Sequence, residues 1–531
     1  MVAARAGGCA GRICGGTGFG LVRPGLGVTG LSGSSQPGLH RRHGRHISPV
    51  ASADYQPTHP PAHRTGQPSG LGERAGSGTK RVRPGSVSDR ATRVVVVGGG
   101  LAGLSAGLEA LDQGAAVTLL ERRPRLGGAT WSFRRKGIWF DNGQHVFLRC
   151  CTAYLRFLKR IGSSDQVYLQ PRLDIPVLSP DGRAGSIRRT PGPAPLHLAP
   201  SLLTYPHLNL YQRLKVLRAG WALQRLDPTD PELDETRFGD WLSEHGQGRR
   251  AVETFWNLVV LPTVNVTAEE ASLKLAAKVF VTGLLTEAPA ADVGWATVPL
   301  SVLHGDAARR ALEADGARVS TGVRVTAVQP DIEGGFQVRL EDETIGADAV
   351  VIAVPHDAVG SLLPSGSVEG QDRLEELGVS PIVNVHLVYD RPVTNLRMFA
   401  TVGSDAQYVF DRTEGADIRD GRQCLSVSLS AAERFIGWSP VDLISHFTAE
   451  LERLLPAATQ ARITDSIVTR EPSATFNGVP GTHHLRAGTR CAVPGVYLAG
   501  AWCDTGWPAT MEGAVRSGTE AGRQAALVGY R

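Results

Sequence analysis

The stretch RVVVVGGGLAGLSAGLEALDQGAAVTLLERR, residues 93–123, constrains the fold more than any other part of the chain. Four consecutive valines predict a buried strand, and the leucines at 104, 108 and 111 lie on one side of a helix. A second apolar run, residues 117–120, predicts another strand. Strand, helix and strand in this order form a βαβ unit with parallel strands, so the fold class is α/β.

Three glycines at the junction of the first strand and the helix carry a chemical expectation. Gly98, Gly100 and Gly103 satisfy the spacing GxGxxG. The first glycine makes the tight turn, the second lets backbone N–H groups approach a pyrophosphate, and the third lets the helix pack on the strand. Glu121 ends the second strand, where a carboxylate accepts hydrogen bonds from ribose hydroxyls. We therefore predict a dinucleotide site, because a purely structural glycine turn does not account for Glu121.

The rest of the chain alternates between sheet and helical segments. DIPVLSPDGRAGSIRR predicts a hairpin that turns on Pro180-Asp181-Gly182, a long helical region follows over about 196–285, and GVYLAGA predicts the last strand. We predict a Rossmann-like nucleotide domain assembled from separated segments and a mixed α/β substrate domain inserted into it. The predicted segments are 91–165, 291–365 and 486–531 for the nucleotide domain, 166–290 and 366–485 for the substrate domain, and 1–90 for a disordered basic tail.

Charge and cysteine content exclude several classes of protein. Residues 1–90 carry twelve Lys or Arg and three acids, a net charge of +9, whereas the whole chain is +5, so the remainder is −4 and a nucleic-acid partner is not expected. Seven scattered cysteines without a CxxC pair predict neither a disulfide framework nor a metal site, and they fit a reducing cytoplasm. No run is apolar enough to span a membrane. We expect a cytoplasmic protein, with peripheral contact at the cytoplasmic membrane left open.

A second glycine motif follows the βαβ unit and resembles a known superfamily. RRPRLGG places Arg125, Gly127 and Gly128 in the R-x-G-G pattern of flavin amine oxidases and carotenoid-type desaturases. The resemblance implies FAD, a GR2-type Rossmann domain, and contact with the cofactor beyond its adenosine half. It also implies that Val325, in GVRVTAV, pairs its backbone groups with the adenine.

The C-terminal stretch GAWCDTGWPATMEGAVRSG corresponds to the part of that superfamily that contacts the flavin. The aspartate usual after the strand is replaced by Ala501, and Asp504 follows three residues later, so we expect a buried Asp504 to take its place. Met511 and Glu512 open the final helix, whose N-terminal dipole stabilises negative charge on a reduced flavin. Trp502 and Trp507 are expected either to wall the flavin or to pack the domain.

Four segments together narrow the resemblance. FDNGQHVFLRCCTAYLRFLKRIG, QYVFDRT, REPSATF and the C-terminal stretch resemble the squalene-associated FAD-dependent desaturase family, the hydroxysqualene dehydroxylases of hopanoid biosynthesis. This resemblance implies reductive removal of the hydroxyl of hydroxysqualene to give squalene, a lipophilic C30 isoprenoid. Such a reaction needs an acid near the leaving oxygen, an apolar tunnel and exclusion of water. The electron donor is not indicated.

His145 and Asp504 are the candidate catalytic residues. His145, in DNGQH, is predicted as the acid or as a positioning donor, and the alternative is a hydrogen bond to backbone near the cofactor. Asp141 is expected to brace the same loop.

One helical pattern leaves two interpretations. Leu210, Leu214, Leu217 and Trp221 recur at helical spacing with basic residues between them. The pattern fits a stripe that faces the core, and the alternative is an interfacial surface through which a lipid substrate enters from a bilayer.

Three rival functions remain at this point. A carotenoid desaturase would use the same fold on an unfunctionalised polyene. A flavin amine oxidase is disfavoured because many keep a lysine by the flavin late in the chain, whereas the last lysine here is Lys278. A non-catalytic prenyl-lipid carrier would be colourless.

Overall fold

The structure is a computed structural model that describes residues 91–528. The predicted basic tail, residues 1–90, lies outside the described residues. The strands are, in chain order, β1 (Arg93–Val97), β2 (Ala116–Glu121), β3 (Ser132–Arg135), β4 (Ile138–Asp141), β5 (Val146–Leu148), β6 (Val167–Leu169), β7 (Asp174–Leu178), β8 (Ala184–Arg188), β9 (Val293–Ala296), β10 (Arg318–Thr321), β11 (Ala327–Pro330), β12 (Phe336–Arg339), β13 (Thr344–Ala347), β14 (Ala349–Ile352), β15 (Ser380–Tyr389), β16 (Met398–Thr401), β17 (Tyr408–Asp411), β18 (Gln423–Leu429), β19 (Ile463–Thr475) and β20 (Val496–Leu498).

The α-helices are α1 (Leu101–Asp112), α2 (Thr152–Arg160), α3 (Ala199–Leu203), α4 (Leu210–Leu223), α5 (Phe238–Glu244), α6 (Arg249–Ala251), α7 (Asn257–Val264), α8 (Leu273–Phe280), α9 (Ala307–Ala314), α10 (Pro440–Leu454) and α11 (Met511–Ala526). Short π-helical segments are Val252–Trp256, Val281–Leu285 and Ser301–Asp306. Short 3₁₀ segments are Ser164–Gln166, Leu196–Leu198, Pro231–Glu235, His356–Ser361, Gln371–Leu377, Ala432–Arg434, Pro456–Gln460 and His483–Leu485.

The first layer is a five-stranded parallel sheet in the order β10-β2-β1-β14-β20. The valines of β1 are buried because helices cover the parallel sheet, as its near-continuous apolar strand predicted. Helices α1 and α11 approach closely where α11 carries Gly518 and Gly522. A Cβ on either glycine would lie 2.0 or 2.2 Å from a carbonyl oxygen of α1, so only glycine permits this contact.

The second layer is a seven-stranded sheet in the order β19-β15-β18-β17-β16-β7-β8. Its neighbours are antiparallel except β16 and β7, and the predicted hairpin at Asp181 joins β7 to β8. Helix α10 packs one apolar face, including Leu443, Phe447 and Leu451, against this sheet. Smaller sheets comprise β11-β12-β13, β3-β4 and β5-β9-β6.

Helix α4 differs from the expectation of a stripe that faces the core. Its buried residues are Val216, Ala219 and Leu223. Leu210, Leu214 and Trp221 are instead 61%, 52% and 58% exposed, so that expectation is wrong. Both faces of the helix carry apolar side chains, and periodicity alone does not tell which face is buried.

The α/β architecture with a parallel Rossmann-like sheet and a separate sheet domain agrees with the fold prediction. All strands of the parallel sheet come from the segments predicted for the nucleotide domain, and all strands of the seven-stranded sheet come from those predicted for the substrate domain. The predicted boundaries remain a prediction, and β6, in the segment predicted for the substrate domain, pairs with β9, in a segment predicted for the nucleotide domain. Within residues 91–528 no helix is both long enough and apolar enough to cross a membrane.

Candidate cofactor and substrate site

The glycine loop between β1 and α1 is shaped by backbone contacts. Gly98 has φ +110°, and a Cβ there would lie 2.3 Å from the carbonyl oxygen of Ala353. A Cβ on Gly103 would lie 1.9 Å from the carbonyl oxygen of Gly98. At Gly100 the nearest atom would be 3.7 Å away, an ordinary contact. Protein packing therefore requires Gly98 and Gly103, whereas it does not require a glycine at position 100.

The N-terminus of α1 directly follows Gly100. No side chain caps the helix, and the first intrahelical bond is donated by Leu104 N–H to the Gly100 carbonyl. The N–H groups before Leu104 consequently have no partner within the helix, and together with the helix dipole they form a site for an anion such as a pyrophosphate.

Glu121 fixes the far side of the loop. Its carboxylate accepts from Gly99 N–H at 2.6 Å and from Arg123 N–H at 2.7 Å, and the side chain is buried. Each carboxylate oxygen has a further lone pair, so these bonds are compatible with the predicted contact to a ribose hydroxyl. That contact remains a prediction.

The second glycine motif lies directly against the first. Gly127 N–H donates to the Gly99 carbonyl at 2.8 Å, and a Cβ on Gly128 would lie 2.8 Å from the Gly100 Cα. The Arg125 guanidinium stacks over Trp131 with 3.8 Å to the ring centroid and lies 3.4 Å from the Gly128 carbonyl. The structure thus brings together Arg125 and both glycine motifs, which sequence spacing alone did not show.

Val325 is buried in the segment between β10 and β11. Among residues 91–528 neither its N–H nor its C=O has a hydrogen-bond partner, while Val323 N–H donates to the Glu121 carbonyl. A buried backbone segment with both polar groups unpaired fits the predicted pairing with adenine, since such groups ordinarily find a partner.

The start of α11 offers backbone rather than side-chain donors. Thr510 caps the helix by accepting from Gly513 N–H at 3.2 Å, which leaves the N–H groups of Met511 and Glu512 outside the intrahelical pattern. The Glu512 carboxylate is directed elsewhere, because it accepts from the N–H groups of Ala153 and Tyr154 at the start of α2. Any cofactor contact by Glu512 therefore has to use its backbone.

Asp504 differs from its expected environment. It is exposed, so the expectation of a buried residue is wrong, and its carboxylate accepts from Gly506 N–H at 3.1 Å and lies 3.9 Å from His483 Nδ1. Among the described residues no hydrogen bond or ion pair joins Asp504 to His145. Its predicted catalytic and cofactor roles remain predictions, without support from a shared network.

A residue that sequence analysis missed holds the same turn. The buried guanidinium of Arg486 donates to the carbonyls of Trp502, Cys503 and Trp507, at 3.1, 2.6 and 2.8 Å. Trp502 is buried in the core and donates from Nε1 to the Val354 carbonyl at 2.9 Å, so it packs the domain. An arginine in a loop has no periodic pattern, and nothing in the sequence singled it out.

The DNGQH loop is held by a buried ion pair. The Asp141 carboxylate accepts from Arg412 Nη2 at 2.8 Å and from Ser132 Oγ at 2.7 Å. The side chains of Asp141 and Arg412 are both buried. Arg412 also donates to the Ala296 carbonyl at 2.6 Å. The predicted bracing role of Asp141 thus has a specific partner, Arg412, which lies in the QYVFDRT segment.

The segment REPSATF, residues 470–476, contacts the same loop. Asn142 Nδ2 donates to Glu471 Oε1 at 3.2 Å, while Asn142 Oδ1 accepts from Trp131 N–H at 3.0 Å. The Asn384 side chain on β15 accepts from Gln144 N–H at 3.2 Å, and its buried Nδ2 has no partner among the described residues. A polar residue inside the apolar run IVNVHLVYD could have identified Asn384, whose buried donor is free to bond a ligand atom or an ordered water.

His145 is half-buried beside this network. Its Nδ1 lies 3.1 Å from the Gly143 carbonyl, and because a carbonyl only accepts, Nδ1 carries the proton. Burial lowers the pKa of His145, with the nearby Arg412 acting in the same direction and Asp141 and Glu471 opposing it. The neutral ring consequently presents Nε2 as an acceptor, and Nε2 donates only when the ring is charged.

These features provide the kinds of group that a binding site for FAD needs. The N–H groups without intrahelical partners at the starts of α1 and α11, the unpaired backbone of Val325 and the unpaired Asn384 amide are where an anionic, hydrogen-bonding dinucleotide fits.

A large apolar cavity lies in the segment predicted for substrate. Its volume is about 680 Å³, within the usual range for ligand pockets of roughly 300–1,000 Å³. It lies between β8, α4 and the α7–α8 region, and no Asp, Glu or Lys lines it. Representative lining residues are Leu202, Tyr205, Trp221, Phe255, Val259 and Leu284.

Comparison with known proteins identifies relatives over most of the chain. The family described as flavin containing amine oxidoreductase matches residues 101–526. A hydroxysqualene dehydroxylase from Rhodopseudomonas palustris is 28% identical over 435 residues, covering 81% of this chain and 97% of the relative. A zeta-carotene desaturase from Zea mays is 25% identical over 472 residues, covering 80% of this chain and 82% of the relative.

A solved structure supports the fold. Cyclohexylamine oxidase from Brevibacterium oxydans superposes with a TM-score of 0.64 at 18% identity, covering 83% of this chain and all of that chain. The α/β fold prediction and the cofactor prediction, FAD, are confirmed by these matches. The relatives include a hydroxysqualene dehydroxylase and a carotenoid desaturase at similar identity.

Proposed function

The chain belongs to the flavin containing amine oxidoreductase family, and from this premise we propose that it is an FAD-dependent oxidoreductase that converts hydroxysqualene to squalene. The observation that carries the proposal is the apolar cavity, which has room for a long hydrocarbon and lacks a carboxylate to receive a cationic amine. The similarity to a hydroxysqualene dehydroxylase supports the choice of alcohol.

The reaction replaces a C–O bond by a C–H bond. The hydroxyl leaves as water after taking up one proton, and an allylic cation remains. This cation gains a hydride, so two electrons are consumed. Reduced FAD supplies that hydride when it is bound. The chain's own tasks are to protonate the leaving oxygen, to hold the hydrocarbon and to keep water from the allylic cation.

His145 can serve as the proton donor only in its charged form. Since Nδ1–H is bonded to the Gly143 carbonyl, the transferred proton has to come from Nε2. Burial lowers the pKa of His145, so the charged fraction falls as pH rises through a value below the ordinary 6.5. The rate of the chemical step is expected to rise towards acidic pH, with an inflection below 6.5, and this inflection should disappear in His145→Gln.

The test is an anaerobic single turnover. The bound flavin is reduced photochemically, hydroxysqualene is added in detergent, and flavin reoxidation is followed together with the mass of the product. Reoxidation in proportion to squalene formed supports the proposal. Reduced flavin that persists in the presence of hydroxysqualene contradicts it.

A cavity variant gives the test a structural control. Val259→Trp places a large side chain in the cavity and should slow reoxidation by hydroxysqualene while the protein stays yellow. Val441→Trp, on the exposed face of α10, is the matched control and should react like the original protein.

A carotenoid desaturase is the second candidate, favoured by the 25% identity to a zeta-carotene desaturase. In that case the oxidised protein, mixed with a phytoene-like polyene, should become reduced and should form a product two hydrogens lighter.

A further inference from the structure

Exposed apolar side chains are concentrated on one part of the molecule. Among the described residues twelve large apolar side chains are exposed, and six of them lie between positions 196 and 221. We name these six residues the α4 surface: Leu196, Leu203, Leu210, Tyr211, Leu214 and Trp221. Clustered exposed apolar groups of this kind mark a surface that another body covers, whereas singly scattered ones are ordinary.

The α4 surface is continuous with the apolar cavity. Leu196 and Trp221 line the cavity, yet they are 66% and 58% exposed. Leu217 and Arg218, one turn before Trp221, also line it. The cavity wall therefore reaches the outside of the protein at this surface, so a hydrophobic molecule could pass from the surface into the cavity along apolar side chains.

Charge identifies what covers the surface. Arg213, Lys215, Arg218 and Arg225 lie along the same segment, and residues 196–226 contain no Asp or Glu, although residues 91–531 carry a net charge of −4. The Arg225 guanidinium stacks over Trp221 at 3.6 Å, and Lys215 Nζ lies 4.5 Å from the Tyr211 ring centroid. Apolar groups with basic groups beside them suit the boundary between acyl chains and anionic headgroups.

Other occupants fit the surface less well. Residues 1–90 carry a net charge of +9, so that segment would meet charge of its own sign. A second copy placed symmetrically on this surface would bring the two sets of basic side chains together. An anionic bilayer supplies both the opposite charge and the apolar interior.

We propose that the α4 surface docks on an anionic phospholipid bilayer, with the cavity mouth facing the acyl chains so that substrate enters directly from the membrane. The docking follows from exposure and charge, and only the purpose of the cavity mouth rests on the proposed function. Leu210 and Leu214 enter the acyl region, and the basic side chains contact the headgroups.

Vesicle flotation of the full-length, flavin-loaded protein tests this proposal. The probes are vesicles of phosphatidylcholine and vesicles of an equimolar mixture of phosphatidylcholine and phosphatidylglycerol. We expect binding to the mixed vesicles, weakened about tenfold or more in the double variant Leu210→Asp with Leu214→Asp, because two apolar groups become charged. Val441→Asp, a residue 74% exposed on α10, is the matched control and should bind unchanged.

Two results would overturn the docking proposal. Unchanged flotation of the double variant would assign binding to residues elsewhere, including the basic tail that this variant retains. A self-association that sedimentation velocity detects in the original protein and not in the double variant, without any difference in flotation, would make the surface an interface between copies.

The docking and the catalytic proposal fail separately. Leu210 and Leu214 do not line the cavity, so the double variant should perform the single turnover in detergent at the original rate. It should be slowed only when hydroxysqualene is presented in vesicles. Flotation without turnover contradicts the catalytic proposal, and turnover without flotation contradicts the docking proposal.

Discussion

The glycine loop at Gly98–Gly103 and helix α4 are both short, regular stretches, but they are determined by different physics. At Gly98 and Gly103, backbone atoms meet backbone atoms at distances that admit no side chain. In α4, side chains of one chemical class occupy two faces, and only one face is covered. Steric exclusion is absolute and local, whereas burial depends on which neighbours happen to be present.

The largest expected effect separates two glycines of the loop. Gly103→Ala places a Cβ 1.9 Å from the Gly98 carbonyl oxygen and should destabilise the fold by about 3 kcal/mol or more. Gly100→Ala has its nearest neighbour at 3.7 Å and should fold normally but lose its flavin, because the methyl group fills the approach of the pyrophosphate. Visible absorbance and urea denaturation distinguish the two outcomes. A yellow Gly100→Ala protein would refute our placement of the cofactor.

The second prediction concerns the stability that a buried ion pair, a contact between side chains, contributes to the fold. Asp141→Ala leaves the buried Arg412 without its anion, and the expected loss in the free energy of unfolding is about 3–5 kcal/mol. Chemical denaturation measures it. Arg373→Ala, which removes the exposed ion pair with Glu376, is the control and should leave the denaturation midpoint in place. An equal shift in both variants would mean that burial of the Asp141 pair is unimportant.

The buried and exposed faces of α4 can be compared with one substitution on each. Leu223→Ala, on the buried face, should lower the free energy of unfolding by about 2–5 kcal/mol. Leu214→Ala, on the exposed face, should change it by no more than about 0.5 kcal/mol. Equal losses in thermal or urea denaturation would show that both faces are packed in solution, and the α4 surface would then lose its meaning.

The smallest expected effect is the pH dependence of the free energy of unfolding that two buried histidines cause. Burial lowers the pKa of His304 to about 3 and that of His386 to about 4. Unfolding returns them to an ordinary pKa of about 6.5, so between about pH 6.5 and 4 the unfolded chain binds more protons than the folded one. The free energy of unfolding should fall as pH falls through this window, by up to about 1.4 kcal/mol per pH unit for each histidine.

Urea denaturation across that window provides the measurement for the histidines. His386→Gln should reduce the slope of stability against pH, while Arg225→Gln, at an exposed position just after α4, should not change it. A variant with an undiminished slope would assign the effect to other groups.

The structure bears differently on the predicted glycines and on Asp504, and the functional roles of both remain predictions. Gly98, Gly103, Gly127 and Gly128 could be identified from their spacing, and each lies where a Cβ would collide with backbone atoms. Asp504 was expected to be buried and is exposed, since a short turn gives no periodic pattern from which burial can be inferred.

The sequence did not indicate which residues form hydrogen bonds or ion pairs with residues far away in the chain. Arg412 is 271 residues from Asp141, and Glu471 is 329 residues from Asn142, so no local spacing relates them. The motifs that contain them could be quoted from the sequence, but the ion pair and the amide contact between them could not.

By itself the sequence determined the βαβ unit, the two glycine motifs and the family to which they belong. Strand period, helix period and the absence of a Cβ act over a few residues, and a few residues are what a sequence displays directly. Tertiary structure alone decided which face of α4 is covered, that the Glu512 carboxylate caps α2, and that Arg412 neutralises Asp141. Burial and charge pairing depend on segments hundreds of residues apart, and folding brings those segments together only in three dimensions.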